Sequence, residues 1–300
     1  MISQLSVSVL FKEKLREKIF RLTLTSPLIS KKAKPGNFVH IKVGSNGYPL
    51  LRRAFSIHRA QKDKNSFDIL FKVVGKGTEI LSKVIPGETL DILGPIGNSF
   101  SLPQRKKEIM LVAGGMGIAP LWFLFTQLAK IFKSEFGSSG QDKLTFFLGA
   151  KSKKELLYLE KLKMMGVRLI VSTDDGSLGI KGQVTDVFLN AIKRRNEDHR
   201  NLAIYSCGPQ MMLEKMSEMA KRLNLSCQIS LETHMPCGVG ACWGCVVKLK
   251  DGTYKRVCVD GPVFDAREVD LNQYKRAKQN VIARSEATKQ SQEIASLRSQ

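Results

Sequence analysis

The stretch Ile109-Met110-Leu111-Val112-Ala113-Gly114-Gly115-Met116-Gly117-Ile118-Ala119-Pro120 is the part of the sequence that decides the fold. Five apolar residues end at Gly114, Gly115 and Gly117, and an apolar segment with helical spacing follows them. Glycines at a strand-to-helix turn allow a pyrophosphate to approach the backbone, while the helix N-terminus supplies N–H groups and a positive dipole. The turn departs from the G-x-G-x-x-G pattern, so a dinucleotide site and a plain tight turn both stay open.

The segments around this stretch alternate between apolar strands and amphipathic helices. Strands are predicted at residues 109–113, 144–148, 167–172, 203–206 and 227–231, and helices at residues 118–132, 184–193 and 209–223. Such alternation is typical of a doubly wound parallel sheet, an α/β architecture. We therefore predict a nucleotide-binding domain of this class over residues 104–231.

A second turn, Cys207-Gly208-Pro209, follows the strand predicted at residues 203–206. It falls at the carboxyl end of a strand, where doubly wound sheets bind ligands. Two such turns on one sheet favour an NAD site, with Gly114, Gly115, Gly117, Gly208 and Pro209 as candidate contacts.

Asp174 and Asp175 follow the strand predicted at residues 167–172. A carboxylate here could accept hydrogen bonds from the ribose hydroxyls and repel a 2′-phosphate, which would favour NADH over NADPH. We take Asp174 as the candidate, and a simple Asp-Asp-Gly turn is the alternative.

The first hundred residues carry short strands separated by turn signals. Strands are predicted at residues 5–11, 18–26, 38–43, 53–58, 67–74 and 89–93. Pro35-Gly36, Pro86-Gly87 and Gly94-Pro95 punctuate them. This spacing predicts a small antiparallel β-barrel over residues 1–103.

Four cysteines, Cys237, Cys242, Cys245 and Cys258, have the spacing C-x4-C-x2-C-x12-C. The first three match the plant-type ferredoxin arrangement, in which four thiolates hold a 2Fe–2S cluster. Small residues between them let the backbone wrap around the cluster and aim N–H groups at its sulfurs. Zinc is the alternative, but zinc sites usually combine two C-x2-C pairs or Cys/His pairs, and no histidine follows Cys237.

The cysteines lie in a third, small segment predicted over residues 232–271, with strands at 246–250 and 255–259. The tail at residues 272–300 has few apolar anchors, and we predict that it is flexible. Cys227 lies in a strand-like run and is interpreted as a buried apolar residue.

Composition narrows the classes of function. The chain has 48 Lys and Arg against 27 Asp and Glu, a net charge of +21. These charges are scattered and form no aromatic-interleaved stripe, so we predict neither nucleic-acid nor membrane binding. No signal-peptide core or long apolar run is evident, and six cysteines without an export signal indicate free thiols, so we predict a cytoplasmic protein.

Arg53-Ala54-Phe55-Ser56 supplies a guanidinium for a pyrophosphate and a hydroxyl that could face a flavin ring. Its order with the two nucleotide turns and the four cysteines resembles the ferredoxin–NADP reductase superfamily. The stretch from Leu231 to Cys245 is similar to the electron-transfer subunits of bacterial dihydroorotate dehydrogenase B. One departure is Ala54, where that family often has proline, and it affects backbone stiffness more than chemistry.

The resemblance implies FAD, NAD and a 2Fe–2S cluster as cofactors. It implies FAD contacts at Arg53, Ala54, Phe55, Ser56, Leu70, Phe71, Lys72, Gly77 and Thr78, a position for Cys207 near the nicotinamide, and four cluster cysteines. It also implies an FMN-containing catalytic subunit that oxidises dihydroorotate, in a heterotetramer with two copies of each chain. This chain would pass the electrons through the cluster and FAD to NAD+.

Other interpretations remain. The same cofactors would suit an NADH-oxidising subunit of a hydrogenase, sulfide reductase or ferredoxin reductase; the related NADH–ferredoxin reductase subunits often have aspartate at the first cluster ligand, where this chain has Cys237. A non-enzymatic redox sensor is a third class. Met235, Pro236 and Trp243 are candidate contacts for a partner subunit, and ordinary packing around the cluster is the alternative.

Overall fold

The computed structural model describes residues 2–44, 48–103, 108–136, 143–195 and 199–271. The tail predicted to be flexible, residues 272–300, lies outside the described residues. The described part consists of a β-barrel, a parallel sheet with helices on both faces, and a small cysteine-bearing segment.

The barrel confirms the fold predicted for the first hundred residues. Its strands are β1 Ser3–Arg16, β2 Ile19–Thr25, β3 Phe38–Lys42, β4 Arg53–Gln61, β5 Ser66–Lys72 and β6 Thr89–Ile96. They close in the order β1-β2-β5-β4-β3-β6, with every described pair antiparallel. Apolar residues at alternate strand positions fill the interior of the barrel. Leu22, Ile41 and Ile69 are examples, and each is completely buried.

Two helices in the barrel were not predicted. Helix α1, Pro27–Lys32, begins at Ser26, whose hydroxyl accepts from the Ile29 N–H at 3.2 Å. Helix α2, Lys76–Lys83, begins after Gly75. With six and eight residues, both are too short to show a helical period in the sequence.

The nucleotide-binding domain has the predicted alternation of strands and helices. Its strands are β7 Glu108–Gly114, β8 Leu144–Ala150, β9 Arg168–Thr173, β10 Ile180–Lys181, β11 Leu202–Cys207 and β12 Cys227–Ser230, and its helices are α3 Ile118–Phe136, α4 Leu159–Met164, α5 Val184–Lys193 and α6 Gln210–Arg222. The order β10-β9-β8-β7-β11-β12 is parallel throughout. The chain leaves β7 toward β8 and returns on its other side at β11, which creates a switch point where such sheets bind ligands.

Helix α3 is unusually apolar. Within the described residues, the window Gly115–Phe132 is the one helical stretch long and apolar enough to cross a membrane, with a mean hydropathy of 1.3. The helix is covered on two sides, because Leu121 and Leu124 pack on the sheet while Phe123 enters the barrel core. This packing accounts for its composition as that of a core helix between two domains.

The cysteine-bearing segment is built onto the sheet. Strands β13 Val246–Lys248 and β14 Tyr254–Arg256 form a hairpin, and β15 Val263–Asp265 pairs antiparallel with β12. The strand predicted at residues 255–259 is therefore wrong at its carboxyl end. The chain turns after Arg256, whose carbonyl accepts from the N–H of Val259 and of Asp260.

Two sets of polar contacts fix the barrel to the rest of the chain. Asn98 donates to the carbonyls of Asp260 and Val263 at 3.0 and 2.8 Å and accepts from the Val263 N–H. His58 lies 2.9 Å from the Ala119 carbonyl through Nδ1 and 2.8 Å from the Tyr158 hydroxyl through Nε2. Since a carbonyl only accepts, Nδ1 carries the proton and Nε2 accepts from Tyr158.

Candidate cofactor sites

A cleft of about 450 Å³ separates the barrel from the carboxyl edge of the parallel sheet. Ile19 and Lys72 line it from the barrel, and Glu155 and Leu157 from the connection after β8. Six of the predicted nucleotide residues line the opposite side: Gly114, Gly115, Gly117, Asp174, Gly208 and Pro209. The structure thus brings most of the predicted NAD residues together in one concavity beside the barrel.

The two glycine turns touch each other. A methyl group at Gly117 would collide with the carbonyl of Cys207, and one at Gly208 would lie 3.2 Å from the Gly114 backbone nitrogen. Gly115 adopts φ +53°, in the left-handed region that favours glycine. The two turns therefore pack backbone to backbone at the start of α3, and a helix N-terminus is where a pyrophosphate can bind.

The structure separates the roles of the two aspartates. Asp174 lines the cleft, whereas the Asp175 carboxylate accepts from the backbone N–H and hydroxyl of Ser177 at 2.9 and 2.6 Å. Those hydrogen bonds hold the pKa of Asp175 below its usual value. Asp175 is therefore a turn residue, and Asp174 is left as the carboxylate available to a ribose.

Cys207 lies under the turn and is 1% exposed. Burial, with a smaller contribution from the charge of Glu232, raises the pKa of its thiol well above the ordinary value. A neutral thiol cannot act as a nucleophile. Cys207 is not among the residues that line the cleft, so the position near the nicotinamide that the resemblance implies stays a prediction.

Glu232 is a cleft residue that the sequence analysis missed. It follows β12 and keeps surface open to the cleft, while protein crowds its other sides and raises the pKa of its carboxyl. Glu232 is thus open to the cleft on one side and enclosed by protein on the others, as expected for a residue inside a concavity. The available signal was its position: a charged residue directly after a strand, at the edge where the sheet binds ligands.

The side chain of Arg53, a residue of strand β4, lies beside the N-terminus of α2 on the barrel side. A methyl group at Gly77 would lie 2.8 Å from Arg53 Nε, so glycine leaves room for the guanidinium. The Thr78 hydroxyl accepts from the backbone N–H of Val74 and of Gly75 at 2.9 and 3.2 Å and donates to the Gly75 carbonyl. A guanidinium at a helix N-terminus is suited to phosphate, so these residues fit the diphosphate of a flavin dinucleotide.

The remaining predicted FAD residues divide into two groups. Phe55 and Phe71 point into the barrel core with ring centroids 5.6 Å apart, and Leu70 packs toward the sheet. Ser56 and Lys72 are half-buried and Ala54 is exposed. Contacts of Phe55 and Phe71 with a flavin would therefore come from their backbone.

The four cysteines form two pairs. The Cys237 sulfur accepts from the N–H of Val239 and of Cys242, both at 3.5 Å, and Cys242 accepts from Gly244 at 3.4 Å. Cys245 accepts from the N–H of Cys258 at 3.4 Å. Cys237 thus neighbours Cys242 and Cys245 neighbours Cys258, as two irons with two thiolates each require.

The backbone wraps this loop around the sulfurs. Gly238 and Gly240 adopt φ +71° and +83°, and a methyl group at Gly244 would lie 2.9 Å from Pro236. Burial raises the pKa of the Cys237 thiol, but N–H groups aimed at its sulfur outweigh that effect and lower the pKa to about 6. Donors that stabilise a thiolate are what a cluster ligand needs, so the loop fits the group.

The described residues hold no cluster of three or more His, Cys, Asp or Glu side chains arranged around a single ion. The four thiols instead occur as two neighbouring pairs along the loop. Arg256 stabilises the loop. Its guanidinium donates to the Gly240 carbonyl at 3.1 Å and lies 5.1 Å from the ring centroid of Trp243.

The candidate partner contacts also divide. Met235 is buried in the core of the sheet, which supports the packing alternative for that residue. Trp243 is 55% exposed, and Val239, Tyr254 and Val259 are exposed as well. Exposed apolar residues therefore occur in the cluster loop and in the segment that follows it.

Three family models match successive parts of the chain. An oxidoreductase FAD-binding domain matches residues 11–101, an oxidoreductase NAD-binding domain residues 111–218, and the iron-sulfur cluster binding domain of dihydroorotate dehydrogenase B residues 232–270. A curated relative from Desulforamulus reducens, named the electron transfer subunit of dihydroorotate dehydrogenase B (NAD(+)), is 39% identical over 254 residues, or 83% of this chain and 92% of that one. The chain belongs to this family.

A second member of the family, from Geobacillus kaustophilus, is 38% identical over 275 residues, or 90% of this chain and all of that one. Among solved structures, a chain of an NADH-dependent reduced ferredoxin-NADP oxidoreductase is 32% identical with a TM-score of 0.74, covering 92% of this chain and 96% of that one. A ferredoxin NADP+ reductase from Neisseria gonorrhoeae, 16% identical with a TM-score of 0.60 over 73% of this chain and 91% of that one, shares the fold. The family match confirms an FAD-, NAD- and cluster-binding oxidoreductase component.

Proposed function

We propose that this chain is the electron-transfer subunit of a dihydroorotate dehydrogenase B and carries electrons from a dihydroorotate-oxidising partner subunit to NAD+ in pyrimidine biosynthesis. The observation that carries the proposal is the paired four-cysteine loop, within the matched cluster-binding domain, attached to a barrel and sheet that share one cleft. When bound, FAD exchanges a hydride with NAD(H) and single electrons with the cluster.

The chain's own residues bind and orient the nucleotide. The glycine turn before α3 and the Cys-Gly-Pro turn would hold the pyrophosphate on backbone N–H groups. Asp174 would accept from the ribose and disfavour a 2′-phosphate, and Cys207, buried behind the Cys-Gly-Pro turn, would lie near the nicotinamide. Glu232 would form the polar wall of the same cleft.

The barrel residues hold the flavin. Arg53 and the N-terminus of α2 would bind the diphosphate, with Gly77 leaving the space and Thr78 ordering the turn. Ser56 and Lys72 would reach the flavin with their side chains, while Ala54, Phe55, Leu70 and Phe71 would do so through their backbone. We propose Cys237, Cys242, Cys245 and Cys258 as the four cluster ligands.

The surface formed by Val239, Trp243, Tyr254 and Val259 is the proposed contact with the catalytic subunit. Exposed apolar residues around a redox group exclude water when a partner docks, and aromatic residues are enriched at such interfaces. We propose that the partner contains FMN and that two copies of each chain assemble.

We propose a cytoplasmic location, supported by six cysteines that form no disulfide with one another, as in a reducing compartment. We keep the predicted domain bounds, residues 1–103, 104–231 and 232–271, with β15 fastening the last domain to the sheet.

The test is anaerobic. The chain is co-expressed with a dihydroorotate-oxidising subunit, the complex is purified, and NAD+ reduction driven by dihydroorotate is followed. Activity that is lost in Cys242→Ser and retained in Cys227→Ser, a buried cysteine outside the loop, supports the proposal. If NADH reduces artificial acceptors but dihydroorotate gives no NADH, the proposed partner is wrong.

A second candidate is an NADH-oxidising subunit of another reductase. The observation in its favour is the 32% identity to a chain of an NADH-dependent ferredoxin-NADP oxidoreductase structure over nearly the whole length. It predicts reduction of a ferredoxin-type acceptor by NADH in a complex that is inert to dihydroorotate.

A further inference from the structure

His40 occupies the seam between the barrel and the cluster loop. It lies on β3, is completely buried, and pairs in the sheet register with Ala54, which belongs to the strand proposed to bind FAD. On its other side the ring packs against Gly238. A methyl group at Gly238 would collide with Nδ1 of His40 and would lie 3.0 Å from Cε1.

Both ring nitrogens of His40 are buried, and among the described residues neither completes a hydrogen bond. The backbone of Met235, Cys237 and Arg52 nevertheless lies close to the ring. A backbone group can pair with an imidazole N–H only through its carbonyl oxygen. A buried polar side chain without a partner needs an explanation, and this one is aimed at the residue before Gly238.

An imidazole carries at least one N–H donor in either protonation state. The backbone of the Met235–Cys237 segment lies close to this donor, and carbonyl oxygens are the acceptors that a backbone offers there.

We propose that His40 is a positioning residue for the iron–sulfur cluster, which donates its N–H to a carbonyl of the Met235–Cys237 segment and thereby fixes the first cluster cysteine against the flavin-binding strand. The inference rests on the proposed function, since it places a cluster and FAD on the two sides of His40. Its consequence is that this contact helps to fix the separation between the two cofactors, on which the rate of electron transfer steeply depends.

The test compares His40→Leu with His58→Leu, a matched change of a second buried barrel histidine, which contacts Ala119 and Tyr158 instead of the cluster loop. FAD and iron content, the EPR spectrum of the reduced cluster, and the half-life of the cluster under an iron chelator are measured on each full-length chain. In His40→Leu we expect wild-type FAD content, at least fivefold faster loss of iron, and shifted g-values. In His58→Leu the cluster half-life stays within twofold of wild type. An unchanged EPR spectrum and half-life in His40→Leu would overturn the proposal.

A second pair of variants covers the case in which His40→Leu fails to fold. Gly238→Ala pushes a methyl group into the ring, so the cluster should lose iron faster, and adding His40→Ala should restore part of the half-life by opening space. The part of the half-life that is not restored reflects the strain of alanine at φ +71°. Losses that simply multiply in the double variant contradict the contact. Failure of the proposed function differs, because the wild-type complex would then produce no NADH from dihydroorotate, whatever the cluster half-life of the variants.

Discussion

Replacing Gly117 with alanine adds one methyl group where the two glycine turns touch. That group would collide with the Cys207 carbonyl and lie 2.6 Å from the Gly208 nitrogen, and neither backbone atom can move away by changing a rotamer. Overpacking of this kind costs about 1–3 kcal/mol. In the free chain the two turns can move apart and relieve the clash. A bound pyrophosphate requires the turns to lie together, so the free-energy cost of the clash then weakens NADH binding. The Kd for NADH should therefore rise roughly 5- to 150-fold.

The assay is anaerobic stopped-flow reduction of the bound FAD by NADH, with the Kd taken from the dependence of the rate on NADH concentration. FAD content and cluster absorbance should match the wild type. Gly87→Ala is the control, because Gly87 has φ +94° in a barrel turn with open space around it and outside the cleft. We expect the control to lower the melting temperature without changing the Kd. If Gly117→Ala also lowers only the melting temperature, the turns are not the nucleotide site.

Three further changes test other parts of the site. Arg53→Gln should weaken FAD binding roughly 10- to 150-fold in a fluorescence titration of the apoprotein, because a hydrogen bond to a charged group contributes about 1.5–3 kcal/mol; tight binding by the variant would exclude Arg53 from the diphosphate. Asp174→Asn should reduce the preference for NADH over NADPH in kcat/KM, whereas Asp175→Asn should cost stability alone; equal effects would contradict the assignment. Burial lowers the pKa of His58 to about 3, so the unfolded chain binds the extra proton first as pH falls. The stability that neutral His58 contributes is complete above its ordinary pKa of about 6.5 and is lost toward pH 3, by up to about 1.4 kcal/mol per pH unit. Thermal melts of His58→Gln between pH 7.5 and 5 should show a shallower slope than wild type, and an unchanged slope would contradict the assignment.

The barrel and sheet were predictable because their strands repeat one pattern at a regular spacing. Val7 and Val9 in β1 and Leu90 and Ile92 in β6 alternate with more exposed residues, and this alternation is visible along the sequence. Strand β15 was not predictable, since its three residues form a strand only by pairing with β12. The short helices α1 and α2 were missed for the related reason that one or two turns carry no period.

The residues of the site show the same distinction between predictable and unpredictable features. The glycine turns and the cysteine spacing are required by the ligands that they bind, so they can be recognised in the sequence. Glu232 and His40 gain their environment from segments far along the chain, and nothing in their neighbours predicts it. Asp174 and Asp175 are equivalent as letters, and only the Ser177 hydrogen bonds to Asp175 distinguish them.

The connections between domains bear on how electrons can pass. Asn98 ties the barrel to the segment after Cys258, β15 ties that segment to the sheet, and His58 ties the sheet's first helix back to the barrel. These three connections form a closed ring of contacts through all three domains. A ring of this kind resists hinge motion, because opening any one domain must break buried hydrogen bonds or a strand pair. Transfer between the proposed nicotinamide, flavin and cluster sites should therefore occur at fixed separations. Changes expected to loosen one connection, such as His58→Leu, should slow NADH-driven flavin reduction before they affect the cluster.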